Sequence, residues 1–257
     1  MNTLTLLMAL MLGLLTVPGE ENSSLAKENG YVINLDRAEK LEKMTYSSLF
    51  SKAGIIVLED TDESLLGKVD KLEVCDNNLY VLEKGRGLFL FNKQGKFIKM
   101  IGRQGKGPGE YIDPDDISID RENKKIYVLD SQTQNVLKYS GNGTFESSFK
   151  LENKGTRSTF IQPFKNALYT NLYTFDKSGK RFLLSKVDVT NGKRISFQFE
   201  ASQYNKGWNE LFSTNQHTFI SGPTGNPKFM QIFMDTIFEI TPKGIKPYIT
   251  LQSKKLV

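Results

Sequence analysis

Apolar positions in this chain come in short runs that alternate with polar ones and stop at glycine, asparagine or aspartate, the pattern of strands joined by tight turns. Two stretches superimpose. Leu72-Glu-Val74, Leu79 to Glu83, Leu88 to Phe91 and the turn before Gly95-Lys-Phe97 are matched by Ile117-Ser-Ile119, Ile126 to Asp130, Val136 to Tyr139 and the turn before Gly143-Thr-Phe145. Tyr80 and Tyr127 are 47 residues apart, and Phe91 and Tyr139, like Gly95 and Gly143, are 48 apart, so the phase holds through two strands and a turn. A period of this length built from short strands predicts the blades of a β-propeller.

The pattern extends in both directions. The units run over about 65–111 and 112–157. A third, 158–208, carries Ala167-Leu-Tyr169, Phe182 to Asp188, the turn Asn191-Gly192 and Ile195 to Phe199. A fourth, 209–257, carries Thr218-Phe-Ile220, Phe229 to Phe233, Thr236 to Ile240 and Tyr248 to Leu251. In each unit the last two strands meet through a short glycine-containing turn, which predicts antiparallel hairpins and meandering four-stranded sheets. Tyr31 to Leu35 is a further strand, and 36–52 is charged with scattered apolar residues that fit a helical turn or two. The predicted propeller spans 31–257, four units and a fraction, and is expected to fall short of a complete ring unless a strand from one end completes the blade at the other.

Ahead of the repeats, Leu4 to Val17 is uncharged and apolar, too short to cross a bilayer, which takes about 20 residues. With Val17 and Gly19 as small residues before Glu20, residues 1–19 read as a signal peptide, although Met1 to Thr3 carry no Lys or Arg; the competing reading is a first core strand or helix. Residues 20–30 are polar and read as a flexible leader. The expected location is exported, periplasmic or at the cell surface, with no transmembrane helix in the mature chain.

Composition narrows the function classes. With 39% apolar and 25% charged residues, 17 Phe and 10 Tyr, the chain has enough aromatic volume to fill the space between sheets. Its 34 basic and 29 acidic residues are interleaved, with no Lys or Arg run longer than two, so the net charge of +5 is a mixed surface and nucleic acid is not expected as a partner. One cysteine, Cys75, excludes an internal disulfide, and the one histidine, His217, is the sole imidazole for any nucleophilic pair.

The segment Ile101-Gly-Arg-Gln-Gly-Lys-Gly-Pro-Gly-Glu-Tyr111, following Phe91-Asn-Lys-Gln-Gly95-Lys-Phe97, resembles an "I-G-x-x-G-x-G-P-G-E-Y" loop after an "F-D-x-x-G-x-F" hairpin, the signature of a family of exported six-bladed propellers of gut anaerobes with NHL-like repeats. Asp235-Thr-Ile-Phe-Glu-Ile240 resembles that family's later "D-T-I-Y-x-I" blade. The resemblance covers 31–251 and implies an all-β fold of NHL-like four-stranded antiparallel blades, six in the full family. It implies no particular activity.

Four sets of residues hold candidate chemistry. The Gly-rich loop at 102–111 offers Arg103, Lys106, Glu110 and Tyr111 as ligand contacts; it matches neither a P-loop nor a dinucleotide fingerprint, and a blade-to-blade crossover is the favoured explanation of its glycines. Asp113, Asp115, Asp116 and Asp120 are oxygen ligands in kind for calcium, but without EF-hand spacing, so no cofactor is indicated. Propeller lyases hold a channel metal with several histidines, and His217 alone does not match that set. Tyr46, Trp208 and the phenylalanines suit a carbohydrate platform, against the usual use of such aromatics between blades. The scarcity of histidine favours a non-catalytic binding module for a protein, peptide or glycan; the alternative is a hydrolase or lyase acting on a small ligand with a divalent metal in the central channel.

Overall fold

A computed structural model of the chain describes residues 8–10, 30–39, 43–153, 155–174, 180–204, 217–222 and 225–254. Trp208, the start of the fourth unit and most of the apolar N-terminal run lie outside them. The fold is all-β and propeller-like, and the helices among the described residues are short, at Leu35–Arg37, Tyr46–Leu49 and Ala201–Tyr204. Blade I is Lys71–Cys75, Asn78–Glu83, Gly87–Asn92 and Phe97–Ile101; blade II is Pro114–Asp120, Lys125–Asp130, Asn135–Ser140 and Phe145–Lys150. Blade III is Ile161–Phe164, Ala167–Asn171, Phe182–Asp188 and Arg194–Glu200; blade IV is Phe219–Ile220, Lys228–Phe229, Thr236–Thr241 and Gly244–Gln252. Each is an antiparallel meander, as the hairpin turns require. The described residues make four blades, not six: at 47 or 48 residues per unit, the span from 71 to 252 holds four.

Two N-terminal strands join this frame. Tyr31–Asn34 adds to the outer strand of blade IV as a parallel fifth strand, Tyr31 opposite Ile249 and Asn34 opposite Gln252. Met8–Leu10 pairs antiparallel with Gly54–Ile56.

The strands of blades II and III are apolar on both faces because each of these sheets is packed between two neighbours, and successive side chains alternate between them. Tyr80 and Leu82 meet Ile117, Ile126 and Val128 in the seam between blades I and II. Leu79 and Val81, the intervening positions, lie on the other face of blade I under Ile56, Leu58, Leu66 and Val69. Tyr127 and Leu129 pack with Ile161, Leu168 and Val187 between blades II and III, and Tyr169 and Leu184 pack with Phe229 and Ile240 between III and IV. Each such leucine or isoleucine contributes about 1.5–3 kcal/mol by leaving water.

The turn glycines that set the sequence period are also where blades are stitched together. Gly192 adopts φ +75°, and a Cβ there would lie 1.9 Å from the Lys150 carbonyl oxygen of the preceding blade; Gly95 at φ +84° stands in the same relation to the Val57 carbonyl oxygen. Gly192 also accepts through its carbonyl from the Glu152 amide at 3.0 Å, and Gly95 from the Glu59 amide at 2.8 Å. Only glycine supplies both the left-handed backbone and the room.

Candidate functional site

A groove of about 710 Å³ runs between the Gly-rich loop and the outer strand of blade II. One wall is Gly105 to Pro108 with Glu110, and the other is Phe145, Ser147, Ser148 and Lys150. Asp130, Thr133 and Asn135, at the turn between the second and third strands of blade II, close its head.

The loop is built by its own side chains. Glu110 accepts from Arg103 Nε at 2.6 Å through Oε1 and from the Gly107 amide at 2.8 Å through Oε2, which folds the glycine run back on itself. The Gly107 amide first, then Arg103, hold the Glu110 carboxyl below its ordinary range. Tyr111 leaves the loop for the core: it is 1% exposed, its hydroxyl donates to the Ile101 carbonyl at 3.0 Å and accepts from the Leu88 amide at 3.2 Å, and burial raises its pKa. Of the four loop residues read as contacts, the structure thus places Lys106 and Glu110 on the groove wall, Arg103 outside it with an 80% exposed side chain, and Tyr111 in the seam between blades I and II.

Asp130 is spent in the same way, accepting from the Ile112 amide at 2.8 Å and the Thr133 amide at 3.1 Å. The Thr133 hydroxyl is shielded from solvent and has no hydrogen-bond partner among the described residues. Lys106 and Lys150 make no ion pair with any described carboxylate. The groove lining thus holds two lysines and two carboxylates, and it is the carboxylates that are engaged by bonds within the loop and the turn.

The innermost strands hold a second polar set, one that sequence reading did not assemble. Asp116, fully buried, accepts from Lys71 Nζ at 2.7 Å in blade I and from the Ile161 amide at 2.8 Å in blade III, so one carboxylate ties three blades. Glu73 pairs with Arg121 at 3.0 Å and lies 3.8 Å from Lys71; burial outweighs both cations and leaves its pKa raised. Asp120 caps Asn123, and Asp115 lies 3.5 Å from Lys84 and accepts from the Ser131 hydroxyl. Three of the four aspartates considered for calcium, Asp115, Asp116 and Asp120, thus have separate partners, and no group of three or more His, Cys, Asp or Glu suited to a metal occurs among the described residues. The signal for this network was present as charged residues at alternate positions of the inner strands. What the sequence lacks is which blades those charges bridge.

Residues 30–256 match the family described as a domain of unknown function, DUF4934. The chain belongs to that family. No curated protein matches the DUF4934 chain. Among solved structures, a Bacteroides fragilis protein named as an exported one aligns with a TM-score of 0.60 at 22% identity, over 77% of this chain and 55% of that one, so the chain spans little more than half of that relative's length. Streptogramin B lyase aligns at 0.48 with 19% identity (79% of this chain, 63% of that one), and Myxococcus xanthus glutaminyl cyclase at 0.44 with 11% identity (86% and 90%). At these identities the likeness concerns the fold.

His217 and Cys75 do not meet. His217 stacks obliquely on Phe160 at 5.1 Å near Lys71 and Asp116, and burial first, then Lys71, lowers its pKa. Cys75 is buried at the opposite end of the strand Lys71–Cys75, beside Arg121, with its thiol pKa raised by burial. A raised thiol pKa is the reverse of what a nucleophile needs. On the surface, Tyr46 is 71% exposed and stacks on Phe50 at 6.5 Å, whereas most of the blade phenylalanines lie in the seams. No helix among the described residues is long and apolar enough to cross a membrane.

A smaller cavity of about 330 Å³ opens where the inner hairpins of blades II, III and IV converge, lined by Arg121, Gln162, Phe164 and Pro227. The pair Lys165–Glu122, at 2.8 Å, crosses its rim.

Proposed function

We propose that this protein is an exported, non-catalytic binding propeller, acting in the periplasm or at the cell surface, whose groove beside the Gly105–Glu110 loop holds a protein, peptide or glycan. The observation that carries this reading is the state of the carboxylates. Asp116 and Glu73 on the inner strands are already neutralised by Lys71 and Arg121, while the groove on blade II keeps two cations with no described partner. A hydrolase or lyase with a divalent ion in the central channel needs oxygen ligands free to converge on it, and the inner aspartates are instead used to join blades. The Gly-rich loop, braced by Glu110, supplies the preformed wall that recognition favours over a mobile one.

The test combines calcium titration of the full chain by calorimetry with binding to arrayed glycans and displayed peptides. Binding on one of the arrays that survives chelator and is lost in the Lys106→Glu, Lys150→Glu double variant is the expected result. A stoichiometric divalent ion, with binding or turnover that disappears on its removal, would overturn the proposal.

A further inference from the structure

Among the described residues the outer strand of blade II, Phe145–Lys150, pairs along one edge only, and its hydrogen-bond phase says which groups the other edge presents. The Leu151 amide donates to the Gln134 carbonyl at 2.8 Å, so Gln134 and Leu151 form a hydrogen-bonded pair of the antiparallel ladder. Alternation then makes Val136 and Phe149 hydrogen-bonded, and Leu137 with Ser148 and Asn135 with Lys150 non-bonded. In non-bonded pairs the amide and carbonyl point away from the partner strand. The Lys150 carbonyl is covered by Gly192 of the next blade. Between Ser148 and Lys150, three backbone groups remain directed outward: the amide and carbonyl of Ser148 and the amide of Lys150. Ser148 and Lys150 both line the groove, as do Ser147 and Phe145, so the groove follows this strand and reaches its open edge.

Resting on the binding-module reading, we infer that the groove is a strand-addition site: an extended acidic peptide pairs with the edge at Ser148 and Lys150, and its carboxylates meet Lys106 and Lys150. The same molecule shows that its outer edges accept such a strand, because blade IV carries Tyr31–Asn34 on the equivalent edge. Charge selects the peptide's chemistry. The strand's own Glu146 is paired with Lys125 and lies 3.9 Å from Lys138, and the wall carboxylates Glu110 and Asp130 are bonded to Arg103 and to backbone amides, so Lys106 and Lys150 are the groups left to be matched. An extended backbone matches outward amides and a carbonyl spaced along a strand better than a saccharide does, since it offers the complementary groups at the same repeat.

The full chain is titrated, by fluorescence anisotropy, into a labelled hexapeptide alternating valine with glutamate, into its lysine counterpart, and into a version with alternate backbone amides N-methylated; sodium polygalacturonate serves as competitor. The glutamate peptide is expected to bind, the other two not, with affinity falling on the order of tenfold or more in the Lys106→Glu, Lys150→Glu double variant. Ser148→Pro removes an outward amide without touching the bonded pairs of its own sheet, and is expected to cost a similar factor. Should that variant fold poorly by circular dichroism, the N-methylated peptide on the unaltered chain decides the same point. Unchanged affinity on N-methylation, or in a folded Ser148→Pro variant, would mean that charge alone holds the ligand and would overturn strand addition. Polygalacturonate binding in a lysine-dependent way while no peptide binds would overturn it in favour of an acidic glycan and leave the binding-module reading intact. No binding by any probe would overturn both.

Discussion

The seam between blades I and II and the seam between II and III join equivalent sheets by different means. The first is an apolar mesh of Leu82, Leu88, Ile101, Ile117, Ile126 and Val128, in which three tyrosine hydroxyls, of Tyr80, Tyr111 and Tyr139, each donate to a backbone carbonyl. The second has fewer apolar residues and holds a half-buried guanidinium. Arg194 donates to the hydroxyls of Thr170 and Ser158 at 3.0 and 3.3 Å, to the Glu152 carbonyl at 3.0 Å, and to Ser185 at 2.5 Å. Burial pulls its pKa down to about 10 against the attraction of Glu152. Gln134 extends the network, donating to the Ser158 carbonyl at 2.9 Å and accepting from the Ser158 amide at 2.8 Å. An apolar seam tolerates a change of shape so long as volume is kept, whereas a polar one fails when a single partner is withdrawn. The groove lies on blade II, which shares both seams, so each kind of damage bears on the proposed site.

The largest effect is expected where a seam is crossed by backbone. Gly192→Ala places a methyl against the Lys150 carbonyl in a left-handed conformation and should destabilise the protein by roughly 3 kcal/mol or more, read as the shift of a urea melt. Leu82→Ala in the apolar seam should cost about 2–5 kcal/mol, and the volume-conserving Leu82→Met under about 1.5 kcal/mol; equal costs for the two would show that this seam is not held by packing. In the polar seam the order reverses. Thr170→Val keeps the volume but strands donors of Arg194 and Ser158, and should cost about 1–3 kcal/mol, so a neutral result would remove the distinction between the seams.

Tyr111→Phe gives a smaller effect and sharpens the contrast with the groove. It removes two hydrogen bonds and should cost about 1–2 kcal/mol in stability while leaving ligand affinity at the groove unaltered. The smallest effect concerns pH. His217 is kept neutral in the folded state, with its pKa below the unfolded value near 6.5. Below that value the unfolded chain takes up a proton that the native one resists, so stability should fall as pH drops from about 7 to 5. The slope should be shallower in His217→Gln, and an equal slope would assign the effect to other groups.

Much of the frame was legible in the chain itself. Tyr80 and Tyr127 fall at the same place in the second strand of their blades, Phe91 and Tyr139 in the third, and strands form at Phe182–Asp188 and Thr236–Thr241, where the apolar runs of the sequence stand. Local rules suffice for this: alternation determines which side chains share a face, and Gly95, Gly143 and Gly192 mark turns that need positive φ. The number of blades was less legible, because a resemblance carries the count of a family and only the residues present make sheets.

The candidate site divides along the same line. That 102–111 forms a glycine-rich loop followed from its composition. That Glu110 braces it, that Tyr111 turns into the core and that Lys106 joins Lys150 across a groove were decided by the tertiary structure. Lys106 and Lys150 are 44 residues apart in sequence, as Lys71 and Asp116 are 45 apart. The chain alone thus determined strands, faces and turns, which are set by neighbours within a few residues. The packing of one blade against the next decided which charges meet and which stay free, because that depends on how sheets stack and on which outer edge is left without a partner.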